Sequence, residues 1–222
     1  MIASYRRTVV KTLALAATAA CMAGAAPWAF AADEAPDAMI QRLSDDVLAT
    51  IRNDKTLQSG DVNRVMAVVD SKVMPNVNFT RMTASATGPM WRKATPDQRQ
   101  RLQTEFKSLL VRTYAGALKQ VSDQTVEVKP MRSAPGDKEV VVRTLVKGKG
   151  DPVQLDYRME QTPGQGSGWK IYDLNVLGVW LVDNYRPQFS QQLNAGGVDA
   201  LIKSLSERNQ ANAANAAKGN GG

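Results

Sequence analysis

The chain contains no histidine and a single cysteine among its 222 residues. Histidine is the usual general base of enzymes and the commonest zinc ligand, so its absence excludes a Ser-His pair and most zinc sites. The single cysteine, Cys21, lies near the N-terminus, so the rest of the chain has neither a disulfide nor thiol chemistry. Any enzyme here would have to use carboxylates, lysine, tyrosine or serine, and we expect no cofactor and no metal.

The N-terminal residues have the features of an export signal. Three basic residues at positions 6, 7 and 11 precede an apolar stretch of small residues at 12–26, and Ala29-Phe30-Ala31 forms an Ala-x-Ala cleavage site. The apolar stretch is too short and too rich in alanine for a membrane span, which needs about 20 apolar residues. We therefore expect residues 1–31 to be a signal peptide.

Cys21 lies inside the apolar stretch, so a lipoprotein signal is the alternative. Such signals usually place a large aliphatic residue three positions before the cysteine, and here that residue is Thr18. This departure favours cleavage after Ala31 over attachment of lipid to Cys21.

The positive charge of the chain comes partly from its signal. The formal net charge is +7, and removal of the three basic residues of the signal lowers it to +4. The sequence therefore indicates no nucleic-acid partner. A small positive charge suits ordinary solubility, or contact with anionic lipid headgroups.

Apolar periodicity changes twice along the chain. Helical spacing is followed by a two-residue alternation typical of strands, and helical spacing then returns. The clearest helix start is Thr95-Pro96-Asp97-Gln98, which combines a capping box with proline in the first turn. Helices are predicted over 37–53, 62–73, 78–87, 95–120, 182–193 and 198–205, and strands over 126–128, 140–146, 153–159 and 169–176.

Short turns rich in glycine link the predicted strands, so we expect an antiparallel meander. Helices on one face of such a sheet define an α+β fold: a four-stranded curved antiparallel sheet packed against several helices. One domain is predicted over residues 32–208, and the low-complexity tail over 209–222 is predicted to be disordered. The stripes of apolar residues exceed what a two-layer core needs, which suggests an apolar cavity between sheet and helices.

Two blocks of the sequence resemble a known family. The first is VMPNVNFTRMTASATGPMWRKATPDQRQRLQTEFKSLLVRTYAGAL at 73–118, and the second is WKIYDLNVLGVWLVDNYRPQF at 169–189. Both resemble segments of the periplasmic phospholipid-binding proteins of the Mla pathway, the MlaC or toluene-tolerance family. The residues that carry the resemblance are Pro75, Phe79, Gly88, Trp91 to Thr95, Gln98, Arg99, Phe106, Leu110, Tyr114, Ala115, Trp169, Lys170, Tyr172, Asp173, Gly178, Asn184, Tyr185, Arg186 and Phe189.

The resemblance implies a periplasmic shuttle for glycerophospholipid, not an enzyme. Its implied partners are an outer-membrane lipoprotein–porin complex and an inner-membrane ABC transporter complex, and its role would be outer-membrane lipid asymmetry. The acyl tails would occupy a deep apolar pocket, and the headgroup would stay near solvent. The expected tail-binding residues are Phe79, Met82, Phe106, Leu110, Tyr114, Val142, Leu155, Tyr157, Ile171, Val176, Trp180, Tyr185 and Phe189, and the expected headgroup or partner contacts are Arg92, Lys93 and Arg186.

Three positions depart from the family pattern. Asn78 stands where aspartate is expected, Thr87 where a large aliphatic residue is expected, and Trp180 where a small residue is common. Because Trp180 follows the Gly178 turn directly, we expect its bulk to narrow or reshape the pocket.

Two other classes of protein stay open from the residues alone. A small isomerase or hydrolase could use Asp173 or Asp156 as base and Tyr157 or Tyr172 as acid. A strongly raised carboxyl pKa would support that interpretation, and a fully hydrogen-bonded Asp173 would argue against it. The other class is an adaptor with a solid core and no ligand.

Overall fold

The computed structural model describes residues 34–131, 134 and 136–219. The predicted signal peptide over 1–31, its cleavage site and Cys21 lie outside the described residues. In the part of the chain that the structure covers, no helix is both long and apolar enough to cross a membrane.

Aspartate side chains start two of the first three helices. Asp54 accepts hydrogen bonds from the backbone N–H of Thr56 and Leu57, and Asp61 accepts one from Arg64, so each serves as an N-cap. A π-helical turn and a 3-10 turn then lead the chain to Asn76. The helices are α1 (Pro36–Arg52), α2 (Lys55–Gln58) and α3 (Val62–Val68).

The middle helices also begin at capping residues. Asn78 accepts a hydrogen bond from the N–H of Arg81, which shows that asparagine can fill the capping position where the family pattern led us to expect aspartate. Thr95 and Gln98 form the predicted capping box. The helices are α4 (Phe79–Thr87), α5 (Met90–Lys93) and α6 (Pro96–Tyr114), with a 3-10 helix over Ala115–Gln120 after them.

The sheet has five antiparallel strands in sequence order, one more than the four predicted. The extra strand is only two residues long and pairs with the end of the fourth through a hairpin turn at Leu177-Gly178. The sequence indicated a turn at Gly178 but not a strand after it, because two residues are too few to show the alternation of a strand. The strands are β1 (Thr125–Val128), β2 (Glu139–Lys147), β3 (Val153–Gln161), β4 (Trp169–Val176) and β5 (Val179–Trp180).

A β-bulge between β3 and β4 decides which side chains share a face. Met159 pairs with Ile171 and Arg158 pairs with Asp173, so β4 carries one extra residue at this point. Because residues directly opposite each other share a face, Ile171 and Val176 lie on the same face although five positions separate them. We call this face the inner face. Its apolar members are Val126, Val128, Val140, Val142, Val146, Val153, Leu155, Tyr157, Met159, Trp169, Ile171, Leu174, Val176 and Val179.

The last helix, α7 (Leu181–Gly219), is interrupted where the glycine pair predicted a break. Gly196 and Gly197 have non-helical backbone angles, and Gly197 has a φ of 72°. The helix then continues to Gly219, into the stretch for which the sequence predicts disorder. Alanine is the strongest helix former in this tail, and buried Asn209 anchors its start by donating to the Glu105 carboxylate at 2.7 Å.

The core consists of three clusters. One joins α4, α6 and α7 around Phe106, with Leu174 and Val176 of β4 at its margin. The second packs α1 against the inner face, around Val142 and Met159. The third joins the end of α1 to α2, α3 and the end of α6. The α+β class is therefore confirmed, with helices on the apolar face of an antiparallel meander.

Candidate functional site

The inner face of the sheet is covered by helix at one end. Val142 and Met159 are fully buried there, and Val140 and Ile171 nearly so. Met39 and Ile40 of α1 belong to the same cluster. Two of the predicted tail-binding residues, Val142 and Ile171, therefore lie together beneath α1.

The other end of the inner face is progressively exposed. Thr144, Leu155, Val176 and Val179 form one row across four strands, because each pairs with the next. Thr144 is buried, Leu155 and Val176 are half-buried, and Val179 is 52% exposed. One apolar surface thus runs from the interior to the edge of the sheet.

An aromatic cluster fills the space between α4, α6 and α7. The Phe106 ring lies 5.1 Å from both the Tyr185 and the Phe189 ring centroids, with edge-to-face geometry, and 5.7 Å from Phe79. Met82 is buried in the same cluster. Five predicted tail-binding residues are thus brought together in one packed cluster.

Helix α6 carries two more of the predicted residues, both less buried than Phe106. Leu110 is half-buried and packs on the aromatic cluster, as Val176 does from β4. Tyr114, one turn later, is 37% exposed. Burial raises the pKa of the Tyr114 hydroxyl, and neighbouring Tyr185 adds to the shift.

Tyr157 links the two ends of the inner face. It lies opposite Val142 on one side and Leu174 on the other, and it packs on the cluster beneath α1. Burial raises the pKa of its hydroxyl, while hydrogen bonds with Ser44 and Thr144 oppose the shift. The neutral phenol therefore predominates at physiological pH.

The prediction for Trp180 is wrong. Trp180 pairs with Asn175, which pairs with Asp156, so all three lie on the outer face of the sheet. Its ring stacks on Arg158, whose guanidinium carbon is 4.0 Å from the ring centroid. Trp180 cannot narrow a pocket on the inner face. The register of the two-residue β5, which the sequence did not reveal, is the physical reason.

Asp173 is held by hydrogen bonds on the outer face. One oxygen accepts from the N–H of Leu174 and of Val182, in the first turn of α7, and the other lies 2.9 Å from Arg158. Burial raises the pKa of this carboxyl, opposed by those N–H groups and by the charge of Arg158. The arrangement fastens the start of α7 to the sheet.

The other three residues considered for catalysis do not share the inner face. Asp156 is buried on the outer face and accepts from the Gln154 amide at 2.7 Å. Tyr172 donates to Glu139 at 2.9 Å, whereas Tyr157 lies on the opposite, inner face. An acid and a base from this set are therefore not brought together on the inner face.

Two of the three predicted basic contacts share a surface depression. Arg92 and Arg186 line a volume of about 510 Å³ between α4, α5 and α7, together with Arg81 and Trp91. Arg186 is fixed there by donating to the carbonyl of Ser85 at 3.1 Å. Lys93 is exposed and does not line the depression.

Sequence reasoning missed Arg81, which joins α4 to the sheet. Its guanidinium forms ion pairs with Glu139 and Glu160 and lies 3.6 Å from the centroid of the Tyr172 ring. A second depression, of about 500 Å³, lies beside it on the outer face and is lined by Val141, Arg143 and Arg158 among others. Residues at the open end of the inner face line neither depression. A cavity large enough for acyl tails at that end therefore stays a prediction.

The fold and the site together define an α+β protein whose sheet presents a continuous apolar face to a layer of helices. The family model described as MlaC protein matches residues 41–207, so the chain belongs to the MlaC family.

Named relatives agree with this assignment. The chain is 23% identical over 179 residues to the intermembrane phospholipid transport system binding protein MlaC of Haemophilus influenzae, covering 79% of this chain and 83% of that protein. It is 26% identical over 169 residues to the toluene tolerance protein ttg2D of Pseudomonas putida, covering 76% and 77%.

A solved structure gives the most detailed comparison. A phospholipid-binding protein of Ralstonia solanacearum, in complex with a phospholipid, is 47% identical to this chain and has a TM-score of 0.76. The match covers 80% of this chain and 98% of that protein.

Proposed function

We propose that this protein is a periplasmic carrier of diacyl glycerophospholipid that holds the acyl tails against the inner face of its sheet. The observation that carries the proposal is the apolar row from Thr144 to Val179, which continues the buried face to the protein surface. The phospholipid in the related Ralstonia solanacearum structure supports the same ligand class.

The energetics of an acyl chain explain why such a face is needed. Exposing two tails with about 30 methylenes to water costs on the order of 20 kcal/mol, at about 0.8 kcal/mol per methylene. A phospholipid therefore leaves a bilayer for water very slowly. A protein face about as apolar as the bilayer makes transfer nearly neutral, so loading and release both become accessible.

We propose that the carrier has no catalytic activity of its own. In support of this, the Asp173 carboxylate is occupied by two backbone N–H groups and by Arg158. Its structural role accounts for its burial, and burial is what raises its pKa. Apolar burial of tails needs no reacting group.

We further propose that lipid passes between an outer-membrane lipoprotein–porin complex and an inner-membrane ABC transporter complex, which maintains outer-membrane lipid asymmetry. A nearly neutral transfer gives the carrier itself no direction, so direction must come from the partners. The depression lined by Arg92 and Arg186 is the proposed contact for an anionic headgroup or an acidic partner surface.

Native mass spectrometry tests the carrier function directly. The protein is purified from the periplasm without detergent, its intact mass is measured, and the extracted lipid is identified. A mass increment equal to one or more diacyl phospholipids is expected. A bare polypeptide that also takes up no phospholipid from vesicles would contradict the proposal.

Matched variants connect the lipid to the inner face. Leu155→Glu places a carboxylate on the half-buried inner face, where its desolvation opposes tail binding, so the lipid increment should disappear. Val142→Glu should have the same effect with a larger loss of stability, because Val142 is fully buried. Val141→Glu is the control, since it changes the outer face of the same strand. Circular dichroism checks that each variant is folded.

A further inference from the structure

We infer that the acyl tails enter and leave at the open end of the inner face, across a rim formed by Val153, Leu177 and Val179. This inference rests on the proposed carrier function and adds the path of the ligand. It concerns the end of the sheet that holds the β2–β3 and β4–β5 turns.

The exposure of aliphatic side chains changes in one direction along the inner face. At the end of the sheet where β2 starts, Val142 and Met159 are fully buried, whereas at the end where β3 starts, Val153 is 36% exposed. A face built only as a core would be covered at both ends. The uncovered end is where an apolar ligand can reach the interior without crossing a polar surface.

The hairpin at this end carries two exposed large aliphatic residues, Leu177 in the turn and Val179 at the start of β5. Leu177 is 66% exposed and Val179 is 52% exposed, and Val179 lies directly opposite half-buried Val176. Scattered single aliphatic residues are ordinary on a surface, but this group continues an apolar interior. It gives a lipid tail unbroken apolar contact from the rim inwards.

The backbone of the turn shows that folding does not favour leucine at this position. Leu177 has a φ of 52° and Gly178 a φ of 87°, the pair of positive angles of a type I′ turn, in which asparagine or glycine is preferred. Leucine here is both strained and exposed. A strained, exposed residue at a rim is accounted for by contact with a ligand.

The occupant that fits this rim is the acyl tail of a phospholipid. The row leading inwards is aliphatic at Leu155, Val176 and Val179, so it offers burial without hydrogen bonds to direct a polar chain. A tail that slides over these side chains replaces bilayer contacts with protein contacts as it moves. Removing rim aliphatics should therefore slow transfer more than it changes the amount bound.

Two exposed valines on opposite faces give a matched test. Val179→Asn changes the rim, and Val141→Asn changes a 37% exposed valine on the outer face. Vesicles of phosphatidylglycerol and phosphatidylethanolamine carry pyrene-labelled phosphatidylglycerol, and loss of excimer emission measures uptake by lipid-free protein. We expect Val179→Asn to slow initial uptake by about five-fold or more, since burial of a valine side chain against the tail in the transition state contributes about one decade in rate. Final lipid content should fall by a smaller factor than the initial rate, because Val179 is only the outermost residue of the row that holds the tails.

Equal uptake rates for Val179→Asn, Val141→Asn and the wild type would overturn the path. Failure of the wild type to take up any phospholipid would instead overturn the carrier function. The photocrosslinking residue benzoylphenylalanine, placed at position 179, gives a second readout. It replaces only one exposed side chain. It should form a phospholipid adduct with loaded protein, while the same group at position 141 should not. A crosslink only to a partner protein, or none at either position, would contradict the inference.

Discussion

The guanidinium carbon of Arg158 lies 4.0 Å from the centroid of the Trp180 ring, on the face of the sheet that points away from the apolar interior. The same guanidinium pairs with Asp173, whose second oxygen holds the first turn of α7. Trp180 therefore covers an ion pair that joins the last helix to the sheet.

Replacement of Trp180 by alanine should weaken the fold and leave the ligand unaffected. Removal of the cation–π interaction should lower the free energy of unfolding by about 1 kcal/mol. Lipid content should match that of the wild type, because the side chain lies on the outer face. Urea unfolding and native mass spectrometry measure the two quantities. A lower lipid content in folded Trp180→Ala would show that the ring reaches the ligand.

Replacement of Asp173 by alanine should be more damaging. It leaves Arg158 without its buried partner and leaves the N–H groups of Leu174 and Val182 without an acceptor. We expect a loss of about 2–3 kcal/mol in unfolding free energy, below the value for a fully buried pair because Arg158 is partly exposed.

Asp173→Asn is the control for the helix cap. Its amide oxygen still accepts from the backbone, so about half of the loss should be recovered if the cap and the ion pair contribute comparably. Chemical denaturation with both variants measures the difference. Equal losses in the two variants would mean that the ion pair with Arg158 carries the whole effect.

Glu127 on the edge strand β1 should make stability depend on pH. Hydrogen bonds from Lys129 and then Lys147 lower its pKa to about 2. A lowered pKa stabilises the folded state above the ordinary carboxyl pKa, and this contribution is lost as the pH falls from about 4.5 through 2. The wild type should therefore melt slightly above Glu127→Gln at pH 7, and the difference should shrink as the pH falls towards 2 and vanish below it.

Thermal melts of both proteins across this pH range check the effect. The comparison is a difference between two proteins, so titration of other carboxylates cancels. Salt should reduce the difference at pH 7, because Glu127 and both lysines are partly exposed. A gap that stays constant down to pH 2 would rule out titration of Glu127 as its cause.

Local patterns in the sequence were sufficient for most of the fold. The capping box at Thr95 and Gln98 and the glycine break at Gly196 were both predicted correctly, because each depends on neighbouring residues only. The extra strand and the bulge beside Arg158 were not predicted, since cross-strand register is set by distant residues. The disorder predicted for residues 209–222 stays a prediction, because a composition rich in alanine and asparagine is typical of both a helix end and a disordered tail.

The candidate site was predictable in part. The helical period placed Tyr185 and Phe189 on one face of their helix, whereas their contact with Phe106 of α6 depends on the packing of two helices. Trp180 was assigned to the wrong face because strand β5, whose register determines the face of Trp180, was not predicted. Leu174 was overlooked because its place on the inner face follows from the bulge. Val179 was overlooked because its place follows from the hairpin to β5.

Leu177→Asn should make the protein more stable. Asparagine tolerates the left-handed backbone region that Leu177 occupies at a φ of 52°, whereas leucine is strained there. Relief of this strain should raise the free energy of unfolding by about 1 kcal/mol. The substitution loses little buried apolar area, because the leucine side chain is mostly exposed. Urea unfolding of lipid-free protein measures the change.

Leu177→Ala provides the control, because it removes the exposed side chain and keeps a residue that is strained at positive φ. Leu177→Ala should not raise the free energy of unfolding. The difference in unfolding free energy between the two variants therefore measures the backbone strain at position 177. If Leu177→Asn were no more stable than Leu177→Ala, the turn would not be strained by leucine. Both variants remove the leucine side chain from the rim. If acyl tails enter across this rim, both variants should take up lipid more slowly than the wild type, and the higher stability of Leu177→Asn should not restore the rate.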